Sequence, residues 1–268
     1  MLKTRILTAL VLLPVMLSAL FLFSDAGWAA FSWLIVLLAM WEFARMSGAS
    51  RLANGVYLAL ATAVAAAWWR HGAAAPLAVH VLGLVFWLLV APLWLARRWA
   101  LRDGWVARAL GWIMLFPAWF ALLEWRGDGA AAQGSRLLAV MGLVWVADIA
   151  AYFAGKAFGR RKLAPAISPG KSWEGVAGAV VAVAVYAVLV SRLGWLDLAL
   201  PGWVLLLLAL PLTAVSIVGD LLESWFKRSA GIKDSSGLLP GHGGVYDRID
   251  SLIAVLAVSN ALRVLSGL

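Results

Sequence analysis

Apolar residues in this chain come in long, nearly uninterrupted runs, and charges, glycine or proline mark where each run stops. A membrane-spanning helix needs ~20 mostly apolar residues at a rise of about 1.5 Å each. Nine runs approach that length: Ile6 to Phe23, Gly27 to Phe43, Gly55 to Trp69, Pro76 to Ala96, Trp105 to Leu123, Leu137 to Phe153, Val176 to Val190, Trp203 to Leu222 and Ile249 to Leu265. The third and seventh are short, as a tilted or partly interfacial helix would be. No segment carries the strand-and-turn alternation of an outer-membrane barrel, so the spans are helical. The expected fold is all-α, a polytopic integral membrane protein with about nine transmembrane helices.

Composition agrees with the pattern. Of 268 residues, 64% are hydrophobic and 13% charged, against roughly 45–50% and about 25% in soluble domains. Lipid, rather than a large core, accounts for the difference. With no cysteine there is no disulfide framework, thiolate zinc site or cysteine nucleophile, and His71, His80 and His242 are too scattered for a His-rich metal site. A net charge of +9 in a soluble protein would suggest nucleic acid. In this setting it fits topology signals, anionic headgroups or a phosphorylated substrate, and no nucleic-acid partner is expected.

The basic residues also orient the chain. The first run follows Lys3 and Arg5 but exceeds the ~7–15 residue core of a secretory signal, so it reads as a retained helix. Under a nine-helix layout, 17 of the 22 Lys and Arg fall on one side. That asymmetry places the N-terminus in the cytoplasm and the C-terminus outside. Several of the 17 tryptophans, among them Trp28, Trp41, Trp69, Trp105, Trp173, Trp203 and Trp225, lie near span ends and read as interfacial anchors. Loops are short and chemically plain through residues 1–136, which hold about five helices. Residues 137–268 hold about four, and there polar and ionisable side chains crowd the cytoplasmic side, making this the expected catalytic region.

Asp148, Asp220, Asp247 and Asp250 lie in or beside apolar runs, where an ionised group is costly and commonly functional. Asp220, Glu223, Ser224 and Lys227 share one helix face, and Asp148 and Tyr152 share another. Taken singly, each acid has a plainer explanation. Asp220 could pair with Lys227 or Arg228, Asp148 could hydrogen-bond between helices, and Asp247 and Asp250 could serve the start of the last helix. The intervening segment SWFKRSAGIKDSSGLLPGHGGVYDRID changes the weighing. Its glycines allow backbone amides to approach phosphate oxygens, and Lys227, Arg228, Lys233 and Arg248 supply opposite charge. Carboxylates at both ends suit Mg²⁺, which takes one or two protein carboxylates together with substrate phosphates. A second stretch, GKAFGRRKLAPAISPGKSWEG, offers Ser168 and Lys171 beside a Pro-Gly turn as phosphate contacts. Its run Arg160, Arg161 and Lys162 reads as a topology signal.

These residues resemble the signature of the phosphatidate cytidylyltransferase (CDP-diacylglycerol synthase) family. Ser224, Lys227, Arg228, Lys233, Asp234, His242, Gly243, Gly244, Asp247, Arg248 and Asp250 match it in order. The stretch from Asp148 through Tyr152, Gly155 and Gly159 to Lys171-Ser172-Trp173-Glu174-Gly175 is similar to the family's upstream segment. Gly170, Ser172 and Lys156 stand where the family often has Lys, Thr and Arg. The resemblance implies transfer of CMP from CTP to phosphatidic acid, giving CDP-diacylglycerol and pyrophosphate. It implies Mg²⁺ or another divalent ion held by Asp220 and Asp247. Lys233, Arg228, Asp148, Asp234 and Asp250 would complete the catalytic set, with Ser168, Lys171, Ser224, Lys227, His242, Gly243, Gly244 and Arg248 as substrate contacts. A bacterial inner-membrane location, a cytoplasm-facing site among membrane lipids and a candidate homodimer follow from the same likeness. The alternative is a secondary transporter or ion-coupled channel using the intramembrane acids, with sites near the bilayer midplane in related repeats.

Overall fold

The computed structural model describes residues 2–72, 74–127, 130–196, 198 and 200–268. Side chains of residues 2–6 and 130–133 lie outside the description, and with them the expectation placed on Lys3 and Arg5. Among the described residues the helices are α1 (Leu2–Leu22), α2 (Asp25–Met46), α3 (Arg51–His71), α4 (Leu77–Arg97), α5 (Trp105–Arg126), α6 (Ala130–Phe158), α7 (Trp173–Leu193), α8 (Gly202–Ser229) and α9 (Tyr246–Leu265). Each apolar run lies on one of them, overshooting by one residue only at Phe23 and Pro76.

Seven of these helices, α2 to α8, are long and apolar enough to cross a membrane. The chain is an all-α polytopic membrane protein. Outside that group of seven, α1 contributes the shorter apolar stretch Leu7–Leu22, while α9 carries Asp247, Arg248, Asp250 and Arg263. The polarity of α9 has a structural reason. Residues 251–261 of this helix are buried on every side, which marks it as the central rod, facing protein rather than lipid. It packs against α8, α5, α4 and α6. At Gly219 the approach of α8 to α9 is so close that a β-carbon would lie 2.7 Å from the Asp250 carbonyl oxygen. A glycine at this crossing brings Asp220 and Asp250 side by side.

Local signals start and bend the helices. Ser24, Ser50 and Ser172 accept hydrogen bonds from the amides of Gly27, Ala53 and Gly175, each at 3.2 Å, and so cap α2, α3 and α7. Pro14, Pro117 and Pro211 sit inside α1, α5 and α8, as membrane helices tolerate when neighbours satisfy the freed carbonyls. A π turn at Phe86–Val90 interrupts α4.

Two expectations change. The stretch after α6 forms a short antiparallel hairpin, β1 (Lys162–Ala164) with β2 (Ser168–Ser172), in the register Lys162 to Ser172 and Ala164 to Ser168. Five residues containing Pro169 and Gly170 carry no strand periodicity, so the pattern read as a turn alone. Glu174 secures this hairpin by accepting the backbone amides of Arg160 at 3.1 Å and Arg161 at 3.2 Å. Trp28 is not an interfacial anchor. It is 1% exposed, and its indole donates to the Leu122 carbonyl at 3.0 Å, tying α2 to α5. Trp69, Trp105, Trp173 and Trp203 are exposed, as anchors are.

Candidate active site

The C-terminal ends of α6 and α8, the N-terminal end of α9 and the β1–β2 hairpin enclose a cavity of about 600 Å³ at one end of the bundle. Four-residue steps on α6 turn Asp148, Tyr152 and Lys156 to it, and steps of three and four residues on α8 present Asp220, Glu223 and Lys227. From α9 come Asp247, Arg248 and Asp250; from the hairpin, Ser168 and Lys171. Five carboxylates and four cations thus face one space, and an intramembrane charge needs such company to persist.

Their pairing differs from the plainer sequence alternative. Asp220 forms its ion pair with the hairpin rather than with Lys227 or Arg228 of its own helix. Its Oδ2 lies 2.5 Å from Lys171 Nζ on the hairpin, while Ser224 Oγ donates to its Oδ1 at 3.3 Å. Lys227 bridges Glu223 at 2.7 Å and Asp247 Oδ1 at 2.6 Å. The other oxygen of Asp247, Oδ2, accepts from the backbone amides of Ser235 (2.8 Å) and Gly244 (2.7 Å) and from Ser235 Oγ (2.9 Å). Asp247 does bond the chain entering α9, as the structural alternative held, and it lines the cavity as well. Oδ2 is committed to loop donors and Oδ1 to Lys227, so a cation or substrate would reach Asp247 only by sharing Oδ1 with that ammonium group.

Two glycines of the 231–245 loop have a packing reason of their own. Gly243 has φ +84°, a left-handed conformation, and a β-carbon there would lie 2.7 Å from Asp247 Oδ2. At Gly244 a β-carbon would collide with Ser235 Oγ and the Glu42 carboxylate. Both glycines let the loop close around acids, and the Gly244 amide points at Asp247 rather than into the cavity. His242 forms the turn through its amide, which donates to the Leu239 carbonyl at 2.9 Å.

Of the expected site residues, the cavity gathers Asp148, Ser168, Lys171, Asp220, Lys227, Asp247, Arg248 and Asp250. Ser224 stands behind Asp220. Arg228, Lys233, Asp234, His242, Gly243 and Gly244 are outside its lining; Arg228, Lys233 and Asp234 are exposed. Two acids were absent from the expected set. Glu223 is 1% exposed in the cavity wall, and Glu42 of α2 is fully buried behind the 231–245 loop. Both had a signal in the sequence, since Glu42 lies within the apolar run Gly27 to Phe43 and Glu223 shares the face of Asp220 and Lys227.

Among the described residues no three His, Asp or Glu side chains group as a closed metal cage. Two carboxylates on a shared cavity fit an ion that completes its shell with substrate oxygens, as Mg²⁺ does.

Comparison with known proteins gives one answer. The profile of the cytidylyltransferase family matches residues 3–266. A phosphatidate cytidylyltransferase of Pseudomonas aeruginosa is 46% identical over 280 aligned positions, covering 100% of this chain and 98% of the relative. One from Haemophilus influenzae is 35% identical, covering 96% of each chain. Another, from Brucella suis, is 37% identical, covering 96% of this chain and 91% of its own length.

Proposed function

The chain belongs to the cytidylyltransferase family, and from that premise we propose that it transfers the cytidylyl group of CTP to phosphatidic acid, forming CDP-diacylglycerol and releasing pyrophosphate. One observation supports this most directly: Lys171, Lys227 and Arg248 converge with Asp220 and Asp247 on a cavity of about 600 Å³, a setting able to hold two anions that repel each other in water.

A phosphate monoester is already nucleophilic near neutral pH, so no serine or histidine need be activated. An oxygen of the phosphatidate phosphate bonds to the α-phosphorus of CTP, and the bond from that phosphorus to the bridging oxygen breaks with pyrophosphate leaving. Negative charge builds on the α-phosphate and the leaving group. Lys171 and Lys227 lie 2.5–2.7 Å from carboxylates of the cavity wall, which fixes two cations where phosphate oxygens would enter. Arg248 can take two phosphate oxygens with its planar fork. Asp220 and Asp247 would hold Mg²⁺, and the ion when bound supplies Lewis-acid stabilisation of phosphate charge. Glu223 holds Lys227 in place from behind.

In this reading all nine helices span, with the N-terminus and the cavity on the cytoplasmic side of a bacterial inner membrane and the C-terminus outside. CTP then arrives from water. Tyr152 and Phe153 of α6 are exposed beside the cavity, on a surface suited to lipid chains. The polar lining gathers at one end of α6, α8 and α9 rather than at midplane sites repeated in both halves, which favours the enzyme over a transporter.

The test is incorporation of radiolabelled CTP into chloroform-soluble lipid by purified protein in detergent. Product is expected only when phosphatidic acid, CTP and Mg²⁺ are all present. Folded protein that yields none over several lipid mixtures and divalent ions would overturn the proposal.

A further inference from the structure

Glu42 lies in the first half of the chain, of which no described residue lines the cavity, yet it is 0% exposed. A carboxylate taken out of water and lipid alike is costly unless both oxygens are satisfied. Its partners all belong to the loop leading into α9. Oε1 accepts from the Val245 amide at 3.0 Å and from Ser236 Oγ, and Oε2 accepts from the Tyr246 amide at 2.6 Å, with Ser235 Oγ 3.1 Å away and its one proton shared with Asp247. One turn on, Arg45 donates to the Ser235 carbonyl oxygen. Glu42 therefore caps the first amides of α9 from another helix, since no side-chain cap comes from Val245 itself.

The contacts continue into the site. Ser235 gives Asp247 Oδ2 both its amide and its hydroxyl, and that hydroxyl lies within hydrogen-bond reach of Glu42 as well. We propose that Glu42 is a positioning residue: through Ser235 and the start of α9 it fixes the 235–247 segment, and so sets the direction in which Asp247 Oδ1 faces the cavity. The inference rests on the reading of Asp247 as a ligand of the reaction's divalent ion.

Glutamine is a sharp test, because it replaces one of two acceptors by a donor facing two other donors, with little change in volume. In E42Q, amide hydrogen exchange across residues 233–247 should rise relative to wild type. The Mg²⁺ concentration for half-maximal turnover should rise by about 10- to 100-fold, the usual effect of removing a residue that orients a metal ligand, with part of the turnover recovered at high Mg²⁺. S236A removes one donor and leaves Glu42 Oε1 its bond from Val245, so it should move both readouts the same way but less. It also serves if E42Q does not fold. Lower turnover with wild-type exchange and wild-type Mg²⁺ half-saturation would reduce Glu42 to a packing residue and overturn the proposal, as would wild-type behaviour of both variants. If the wild-type protein forms no lipid product, the proposed reaction fails instead, and the exchange comparison alone decides whether Glu42 holds the loop.

Discussion

Both ends of the same central helix carry charge wholly or partly buried, and they use it differently. At its start, Asp247 and Asp250 face a cavity together with Asp148, Asp220 and Glu223. At its far end, ~24 Å away by helical rise, Asn260 donates to Glu124 Oε2 at 2.9 Å, and Arg263 donates to the same oxygen at 3.2 Å and to Asn260 Oδ1 at 3.1 Å. His80 approaches Glu124 at 3.7 Å, and the Arg263 guanidinium lies over the Trp125 ring at 5.4 Å. Nearby, Arg126 is held by Asp25 at 3.0 Å and by the carbonyls of Leu20 and Phe23. There, charges close on one another and join α4, α5 and α9. An ionisable residue inside a membrane protein is thus not a site by its depth alone; the first end is distinguished by carboxylate and ammonium groups aimed into shared space.

The largest expected effects break the comparison at the cavity end. Asp247→Asn keeps the shape but weakens Oδ1 as a ligand and as a partner of Lys227, so turnover should fall by about 10²- to 10³-fold, on the scale of losing a charge-stabilising group. The protein should remain folded by detergent gel filtration. Removal of divalent ions with EDTA should abolish product, and added Mg²⁺ should restore it. Lys171→Met comes next. Its partner Asp220 is part exposed, so folding should survive, while kcat/KM should drop about 10- to 100-fold, one or two charge-assisted bonds' worth. Equal loss in Lys171→Met and in a substitution at the far end of α9 would remove the distinction drawn here.

How far the sequence announced these two ends can be judged residue by residue. The apolar runs located the nine helices of the described residues, seven of them long and apolar enough to cross a membrane, where the backbone leaves few alternatives to a helix. The central position of α9 was hidden in its polarity, which makes a poor span and a good buried rod. Asp148, Asp220, Asp247 and Asp250 were visible as acids in apolar surroundings, and the cavity gathers all four. Lys171 against Asp220 was not visible, since 49 residues separate them and only the hairpin and helix crossings bring them to 2.5 Å. Glu42 met the same criterion as the four aspartates but was passed over in a half whose loops looked plain. At Gly243 and Gly244 the sequence suggests phosphate contacts, and crowding from Glu42, Ser235 and Asp247 is a second reason for glycine there, one that only the folded chain reveals.

At the far end the expectation inverts. Arg263→Ala deprives Glu124 of one donor and leaves Asn260, so stability should fall by about 1–3 kcal/mol, seen as a lower melting temperature in detergent. Turnover per folded molecule at low temperature should match wild type. A loss of turnover without a loss of stability would mean that α9 transmits strain from end to end.

The smallest effect separates location from arrangement. Arg108, in the first turn of α5, and Asp103, just before that helix, form an ion pair at 2.8 Å, with side chains 28% and 44% exposed. Chain direction puts them at the same end of the bundle as the cavity, yet neither lines it. An exposed pair of this kind contributes little, because water and salt screen it and both side chains lose freedom in forming it. Asp103→Asn should therefore change stability by less than about 0.5 kcal/mol and leave the Mg²⁺ and CTP dependence of turnover as in wild type. A clear change in CTP dependence would show that this end of the bundle as a whole gathers the nucleotide. The distinction would then be one of membrane sides, and the convergence of Asp220, Asp247, Lys171 and Lys227 would lose its special standing.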